Sequence, residues 1–357
     1  MEFPMFDHLD DTHPFAVTDS FAAAVTRGAA QRKRRSVAGR TLAAGMTAVA
    51  VGAGALAWRV ADVRRVEITT AQAPSPGSPV NVLLLGLDTR AGAPASQGRA
   101  DVIVVARVNP AERSVRLLWI PRDLYLDGEL AMKASALSTE DGASAFVETL
   151  ESRFSIPIHH VAMIDMGAFE DLVDEWGGID AHFSADARDQ GTGFRIEAGC
   201  RHLDGADALA FVRSRHLETR DGTTWEHDPT GALGRDQRQT QLAQVLAEQL
   251  RASETSPARL LRLANLMSEK ATVDSGLSIE EMIRLTRALS SADTFEVHTL
   301  PVVSMTAPSG MAGLSFVGTA DEASALIYGD TSADAAVDPT TPDIAGATPP
   351  ALSVTAC

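Results

Sequence analysis

Apolar and polar positions alternate along this chain in recognisable blocks. Val80 to Leu87 is apolar apart from Asn81, the pattern of a strand buried on both faces. Asp101–Val108 and Ser114–Ile120 predict two strands joined by the turn Asn109-Pro110-Ala111-Glu112-Arg113. Further strands are expected over His160–Asp165, Ile179–Phe183 and Phe295–Leu300. Helical spacing covers Ala143–Arg153, Gly167–Trp176 (closed by Gly177-Gly178), Arg235–Leu250, Pro257–Leu266 and Ser278–Leu289. Strands interleaved with helices on both sides of a sheet predict a three-layer α/β/α domain.

The flanks behave differently. From Thr41 to Trp58 no side chain ionises, and as a helix this stretch spans roughly 27 Å, near the bilayer core of roughly 30 Å. Arg32-Lys33-Arg34-Arg35 and Arg40 precede it, which places the N-terminus in the cytoplasm and the remainder outside. A retained anchor is favoured over a cleaved signal peptide, because no small-x-small site follows. The expected layout is therefore a tail over 1–40, a single transmembrane helix over 41–60, a proline-broken linker over 61–79, a globular domain over 80–329 and a disordered tail over 330–357. Val60 to Ile68 either prolongs the anchor or begins a stalk. Cys200 and Cys357 are the two cysteines; outside the membrane they can bond, and two unpaired thiols are the equal alternative.

A net charge of −16, with no basic stripe over the main domain, argues against a nucleic-acid-binding role. Arginine nevertheless gathers where apolar segments end. On a helical wheel Arg235, Arg238 and Gln239 share the arc of Leu242, Val245, Leu246 and Leu250, while Asp236, Gln237, Thr240, Gln241, Gln244 and Glu248 lie opposite. The apolar stripe must face the core, so the first turn aims its guanidinium groups inward, where only anions make them tolerable. Arg213 and Arg215 flank Ser214 and share one side of an extended strand. Arg122 follows Pro121 at a strand end. Singly, each reads as a structural ion pair; together they predict an anion site. Asp88 and Asp101 come to one sheet edge if their strands are antiparallel neighbours, a fit for magnesium beside phosphate oxygens. The plainer reading is a cap for Asp88 and an Asp101–Arg99 salt bridge. The aperiodic stretch His216–Leu233 reads as a lid or a disordered loop. No histidine spacing suits zinc, and no Walker loop, dinucleotide fingerprint or nucleophile elbow occurs.

The stretches at 81–90 (NVLLLGLDTR), 99–110, 115–127, 156–183, 201–216 (RHLDGADALAFVRSRH) and 234–239 (GRDQRQ) together resemble the LytR-CpsA-Psr family of cell-envelope enzymes. The resemblance implies an α/β/α domain with a central mixed β-sheet. Its implied activity is phosphotransfer of a glycopolymer from a polyprenyl-pyrophosphate carrier onto peptidoglycan. It implies Mg2+ (or Mn2+) on Asp88 and Asp101, and pyrophosphate held by Arg90, Arg99, Arg122, Arg213, Arg215, Arg235, Arg238 and Gln239, with Lys133 as a further match. It also implies an apolar lipid tunnel, which helices from Ala143 and Gly167 would line unless they simply pack the core. The chain departs from the family pattern before Gly234, where Ala232-Leu233 stand in place of an acidic pair and Asp228 is the nearest substitute. Ala134-Ser135 replaces the common Ile-Asn after the lysine. Two rival functions share the site: a polyprenyl-pyrophosphate phosphatase, and a noncatalytic lipid-pyrophosphate-binding regulator of the envelope.

Overall fold

The computed structural model describes residues 63–72, 74–88, 99–126, 132–133, 140–229, 232–252, 262, 265–267, 269–306, 312–329 and 352–357, all within one compact unit spanning 55–357. The expected tail over 1–40 and the apolar segment Thr41–Trp58 lie outside these residues. Among the described residues no helix is long and apolar enough to cross a membrane.

The chain opens with β1 (Arg64–Val66), β2 (Val80–Asp88), β3 (Arg99–Asn109) and β4 (Ser114–Trp119). The turn between β3 and β4 is held by the Asn109 side chain, which accepts from Ala111 N and Glu112 N. A short hairpin, β5 (Tyr125–Leu126) and β6 (Met132–Lys133), leads to α1 (Glu140–Phe154), β7 (His160–Asp165) and α2 (Met166–Trp176). Asp165 caps α2 and Gly177 ends it with φ +93°, the left-handed position at which glycine carries no steric cost. Next come β8 (Ile179–Phe183), β9 (Asp186–Asp189), β10 (Phe194–Ile196), β11 (Gly199–Leu203) and α3 (Gly205–Arg213). A second hairpin, β12 (Glu218–Asp221) and β13 (Thr224–His227), precedes α4 (Ala232–Ala252). The last part comprises β14 (Ala271–Asp274), α5 (Ile279–Ser290), β15 (Thr294–Thr299), β16 (Val302–Thr306), β17 (Ala312–Phe316), α6 (Ala320–Tyr328) and β18 (Val354–Ala356). Of the helix expected over 257–266, Arg262, Asn265 and Leu266 are described, all helical.

The central sheet has seven strands in the order β1-β14-β7-β2-β3-β4-β15 and is mixed, with β7 and β2 parallel and β2, β3 and β4 antiparallel. Successive strand residues point to opposite faces. Leu83, Leu85, Val161 and Met163 enter one core with Phe146, Val147 and Leu150 of α1 and Ile327 of α6. Ala162 and Val273 meet Met282 and Leu285 of α5 on the other side. Helices thus cover both faces, the layering read from the sequence. A second core lies under α2, α3 and α4, where Phe183 and Phe194 contact Phe211 at centroid distances of 5.5 and 5.0 Å.

The structure corrects several expectations. Val63 and Ile68 are buried and β1 pairs with β14, so the body begins inside the expected linker. Three residues are too few for a hydrophobic period to show. The stretch after His216 is an antiparallel hairpin added to β9, not a structureless loop. Its strands alternate polar side chains on both faces, which hides them. At the C-terminus, β18 pairs with β8 and Cys357 is bonded to Cys200, so the end of the expected disordered tail is ordered. Finally, β2 is not covered on both faces: Leu84, at its middle, is 38% exposed.

Candidate functional site

The site forms where β2 and β4 end and β3 begins, beside α3 and α4. Across the β2–β3 pair Asp88 faces Arg99 directly. One step further in, Gly86 pairs with Val102 and Leu87 with Ala100, which leaves Asp101 as the extra residue of a β-bulge. The bulge re-aims that carboxylate. Asp101 is 8% exposed and pairs with Arg122, not with Arg99, while its second oxygen lies 4.0 Å from Arg215 Nη2. Arg122 Nε also lies 3.6 Å from Asp123 Oδ2. Asp88 meets Arg213 Nη2 at 3.9 Å.

The segment Arg213-Ser214-Arg215 is not a strand. Arg213 is the last residue of α3 and Ser214 its C-cap, at φ −57° and ψ 128°. Asp204 caps the helix start, and Ala208, Phe211 and Val212 give it a buried stripe, so helical spacing wins over the local alternation of charge. The two arginines still reach the same carboxylate edge, by a helix end and not by a pleat.

The inward aim of α4 holds. Arg235, Arg238 and Gln239 are buried, together with Leu242 and Val245. Asp236, expected on the outer face, is buried as well and accepts from Arg235 Nη2 at 2.9 Å. Arg238 donates to Asp228 at 2.6 Å and to the carbonyl of Ser214 at 2.6 Å. Gln239 accepts from Trp119 Nε1 and donates to the carbonyl of Val212, both at 3.2 Å. Asp228 thus pairs with Arg238, and Asp236 with Arg235. Arg90 lies outside the described residues, and Lys133 is placed only as the strand partner of Tyr125.

Electrostatics show that the cations converge. Burial lowers the pKa of Arg215, neighbouring Arg122 and Arg235 lower it further, and Asp101 and Asp123 oppose them. Burial also lowers Arg238, with Asp228 opposing it and Arg235 adding to the fall. Burial raises the Asp236 carboxyl against the pull of Arg235. Several guanidinium groups have carboxylate partners, yet Arg122 Nε, Arg235 Nη1 and Arg238 Nε remain buried without a hydrogen bond. At the rim, Arg213 and Arg215 side chains are 46% and 47% exposed and touch carboxylates only at the outer limit of an ion pair. Deep unfilled donors below half-exposed cations make an anion-binding arrangement.

Asp88 and Asp101 end on the same sheet edge, a pair of hard oxygen donors of the kind magnesium takes with phosphate and water. Among the described residues no group of three or more His, Cys, Asp or Glu side chains could hold a metal alone. An apolar row adjoins the site: Leu84, Val104 and Trp119 pair across β2, β3 and β4 and so share one face. The helix at Ala143, by contrast, is core, since Ala143, Phe146, Val147 and Leu150 are at most 2% exposed. Asp189 escaped the sequence reading, because a lone acid outside a motif carries no positional signal.

Comparison with known proteins places this geometry in context. The model of the LytR_cpsA_psr family matches residues 54–327. A polyisoprenyl-teichoic acid–peptidoglycan teichoic acid transferase, TagU of Enterococcus faecalis, is 31% identical over 217 residues, covering 60% of this chain and 67% of that protein. The match to TagV of Bacillus subtilis is 28% identical and spans 56% of it, so the chain covers between about half and two thirds of these relatives. A solved LytR-Csp2A-Psr enzyme from Actinomyces oris superposes with TM-score 0.61 at 27% identity, over 74% of this chain and 96% of that one.

Proposed function

The chain belongs to the LytR-CpsA-Psr family, and from that premise we propose that it is a phosphotransferase moving a lipid-linked glycopolymer onto peptidoglycan at the outer face of the cell membrane. One observation carries the reading: one guanidinium nitrogen each of Arg122, Arg235 and Arg238 is buried without a hydrogen bond at the site where Arg213 and Arg215 open to solvent. Leaving a buried donor unmade costs about 1–3 kcal/mol. A pyrophosphate supplies the absent acceptors and offsets the repulsion among the cations. The names of the relatives, teichoic acid transferases acting from a polyisoprenyl carrier to peptidoglycan, agree with it.

In this reading the acceptor hydroxyl attacks the phosphorus that bears the sugar. A new phosphodiester forms, the bridging P–O bond breaks and polyprenyl phosphate departs. Arg122 and Arg235 grip the pyrophosphate from below, and Arg213 and Arg215 close on it from the rim. Arg99 stands across from Asp88 as a further cation. Asp88 and Asp101 would hold magnesium, which would supply charge neutralisation on the phosphate oxygens. The lipid tail has an apolar row beginning at Leu84 beside the site. Asp88, Asp101 and Asp123 are the candidates to take the proton of the acceptor hydroxyl. Arg122→Ala and Arg213→Ala are expected to abolish transfer from a polyprenyl-pyrophosphate glycan while circular dichroism stays native. Wild-type turnover in either folded variant would refute the assignment. Parallel assays with and without peptidoglycan fragments separate transfer from hydrolysis.

A further inference from the structure

We infer that Asp189, at the end of β9, is a positioning residue that sets the direction in which Arg215 leaves the backbone, just past the helix end that carries Arg213. The inference rests on the anion-binding reading of those two arginines. Asp189 is 1% exposed. One of its oxygens, Oδ2, accepts from both Arg215 N and His216 N at 2.9 Å, across 26 and 27 positions of sequence. The other, Oδ1, accepts from Gly191 N at 2.7 Å and Thr192 N at 3.3 Å within its own turn. An ionised carboxylate only accepts hydrogen bonds. Here both oxygens are filled by backbone amides. Burial alone would raise its pKa, and the four amides more than offset that and hold it below the ordinary carboxylate value.

Its partners lie where position matters. α3 stops at Arg213, with its last helical-type bond running from Ser214 N to the carbonyl of Phe211, and nothing in helical geometry fixes Arg215 and His216 beyond it. Asp189 fixes them from one side. From the other, Arg238 holds the carbonyl of Ser214 at 2.6 Å and Gln239 holds that of Val212 at 3.2 Å. The Ser214 hydroxyl donates to the carbonyl of Ala210 at 2.9 Å and lies 3.2 Å from the Thr192 hydroxyl, which stands in the same turn as Asp189. Ser214 is fully buried, while the side chains on either side of it are almost half exposed. The backbone is pinned and the guanidinium groups are left to reach. A carboxylate that served only its own turn would use Oδ1 and leave Oδ2 to water or a cation. This one spends Oδ2 on the arginine-bearing segment.

The test uses Asp189→Asn in the full chain, with two readouts. Amide hydrogen exchange at Arg215 and His216 is expected to quicken by about tenfold relative to the β2–β3 amides, and affinity for geranylgeranyl pyrophosphate to fall by about tenfold, the scale of a lost charge-assisted hydrogen bond. Asp189→Glu should recover part of the affinity. Unchanged exchange at Arg215 and His216 in the folded variant overturns the inference, as does wild-type affinity with quickened exchange. If the wild-type protein fails to bind the probe, the pyrophosphate reading falls, and exchange alone decides whether Asp189 fixes the segment. Should Asp189→Asn not fold, Thr192→Val, which cuts the hydroxyl link to Ser214, is read by the same exchange measurement. Native exchange there counts against the clamp.

Discussion

Asp228 and Arg238 meet at 2.6 Å with both residues buried, the acid closing the β12–β13 hairpin and the base standing in the second turn of α4. The backbone N–H of Asp228 also donates to the carbonyl of Leu217, so the pair ties the return of the hairpin to the helix. Removing one partner strands the other in a dry environment. Asp228→Ala is expected to cost about 3–5 kcal/mol in urea denaturation. The double variant Asp228→Leu/Arg238→Met should be more stable than Asp228→Ala, because no charge is left alone. Equal stability for wild type and Asp228→Ala would deny the pair its role.

Acid should loosen the site before it unfolds the sheet. The folded-state pKa of Asp189 lies below its ordinary value of 3.8, so its stabilising contribution is complete above that value and is lost as pH falls toward the folded pKa. Thermal melts between neutral pH and pH ~3 should show a drop in the wild type below pH ~4 that is smaller in Asp189→Asn, which carries no titrating group there. Parallel curves for the two proteins would assign the acid sensitivity elsewhere.

Gly205 opens α3 against the backbone of α2. A Cβ there would collide with the carbonyl group of Glu170, which cannot rotate away. Gly205→Ala should therefore push the two helices apart, at a cost of about 1–3 kcal/mol. Because the same helix ends at Arg213, activity should fall further than stability. A variant that melts early but transfers at the wild-type rate below its melting range would separate the two effects and contradict this coupling.

Reduction tests the C-terminal strand. Cys200 and Cys357 bridge 157 positions with Cα atoms 5.8 Å apart, and Leu352 and Val354 sit in the core that contains Phe183 and Phe211. Restricting so long a loop in the unfolded chain stabilises by roughly 2–4 kcal/mol. Cys200→Ser and a reducing agent should lower the melting temperature equally, and protease should then release the last residues first.

Much of this was legible in the chain because apolar spacing is a strong signal over several turns or pleats. Leu83, Leu85 and Leu87 gave β2, and Leu242 with Val245 gave both α4 and the inward aim of Arg235 and Arg238. The bulge that turns Asp101 toward Arg122 could not be read, since one extra residue alters register and not pattern. Arg213 and Arg215 reach the Asp88–Asp101 edge by an element other than the expected strand: charge alternation over three residues mimics a pleat, while the stripe of Ala208, Phe211 and Val212 lies just upstream. Asp236 broke the helical wheel because a short side chain at the first turn can fold back onto its neighbour Arg235. Buried acids such as Asp189 find their partners by tertiary contact, which spacing along a chain does not encode.

The sheet itself has no need of Asp101. Excise that single residue and Ala100 would follow Val102 in an unbroken antiparallel ladder, with Leu87 and Gly86 keeping the partners they have now. A one-residue deletion would then keep the ladder but leave the mostly buried Arg122 guanidinium without its Asp101 carboxylate, so it ought to lower stability together with the activity proposed for this edge. Register and charge pairing thus meet at one irregularity in one strand.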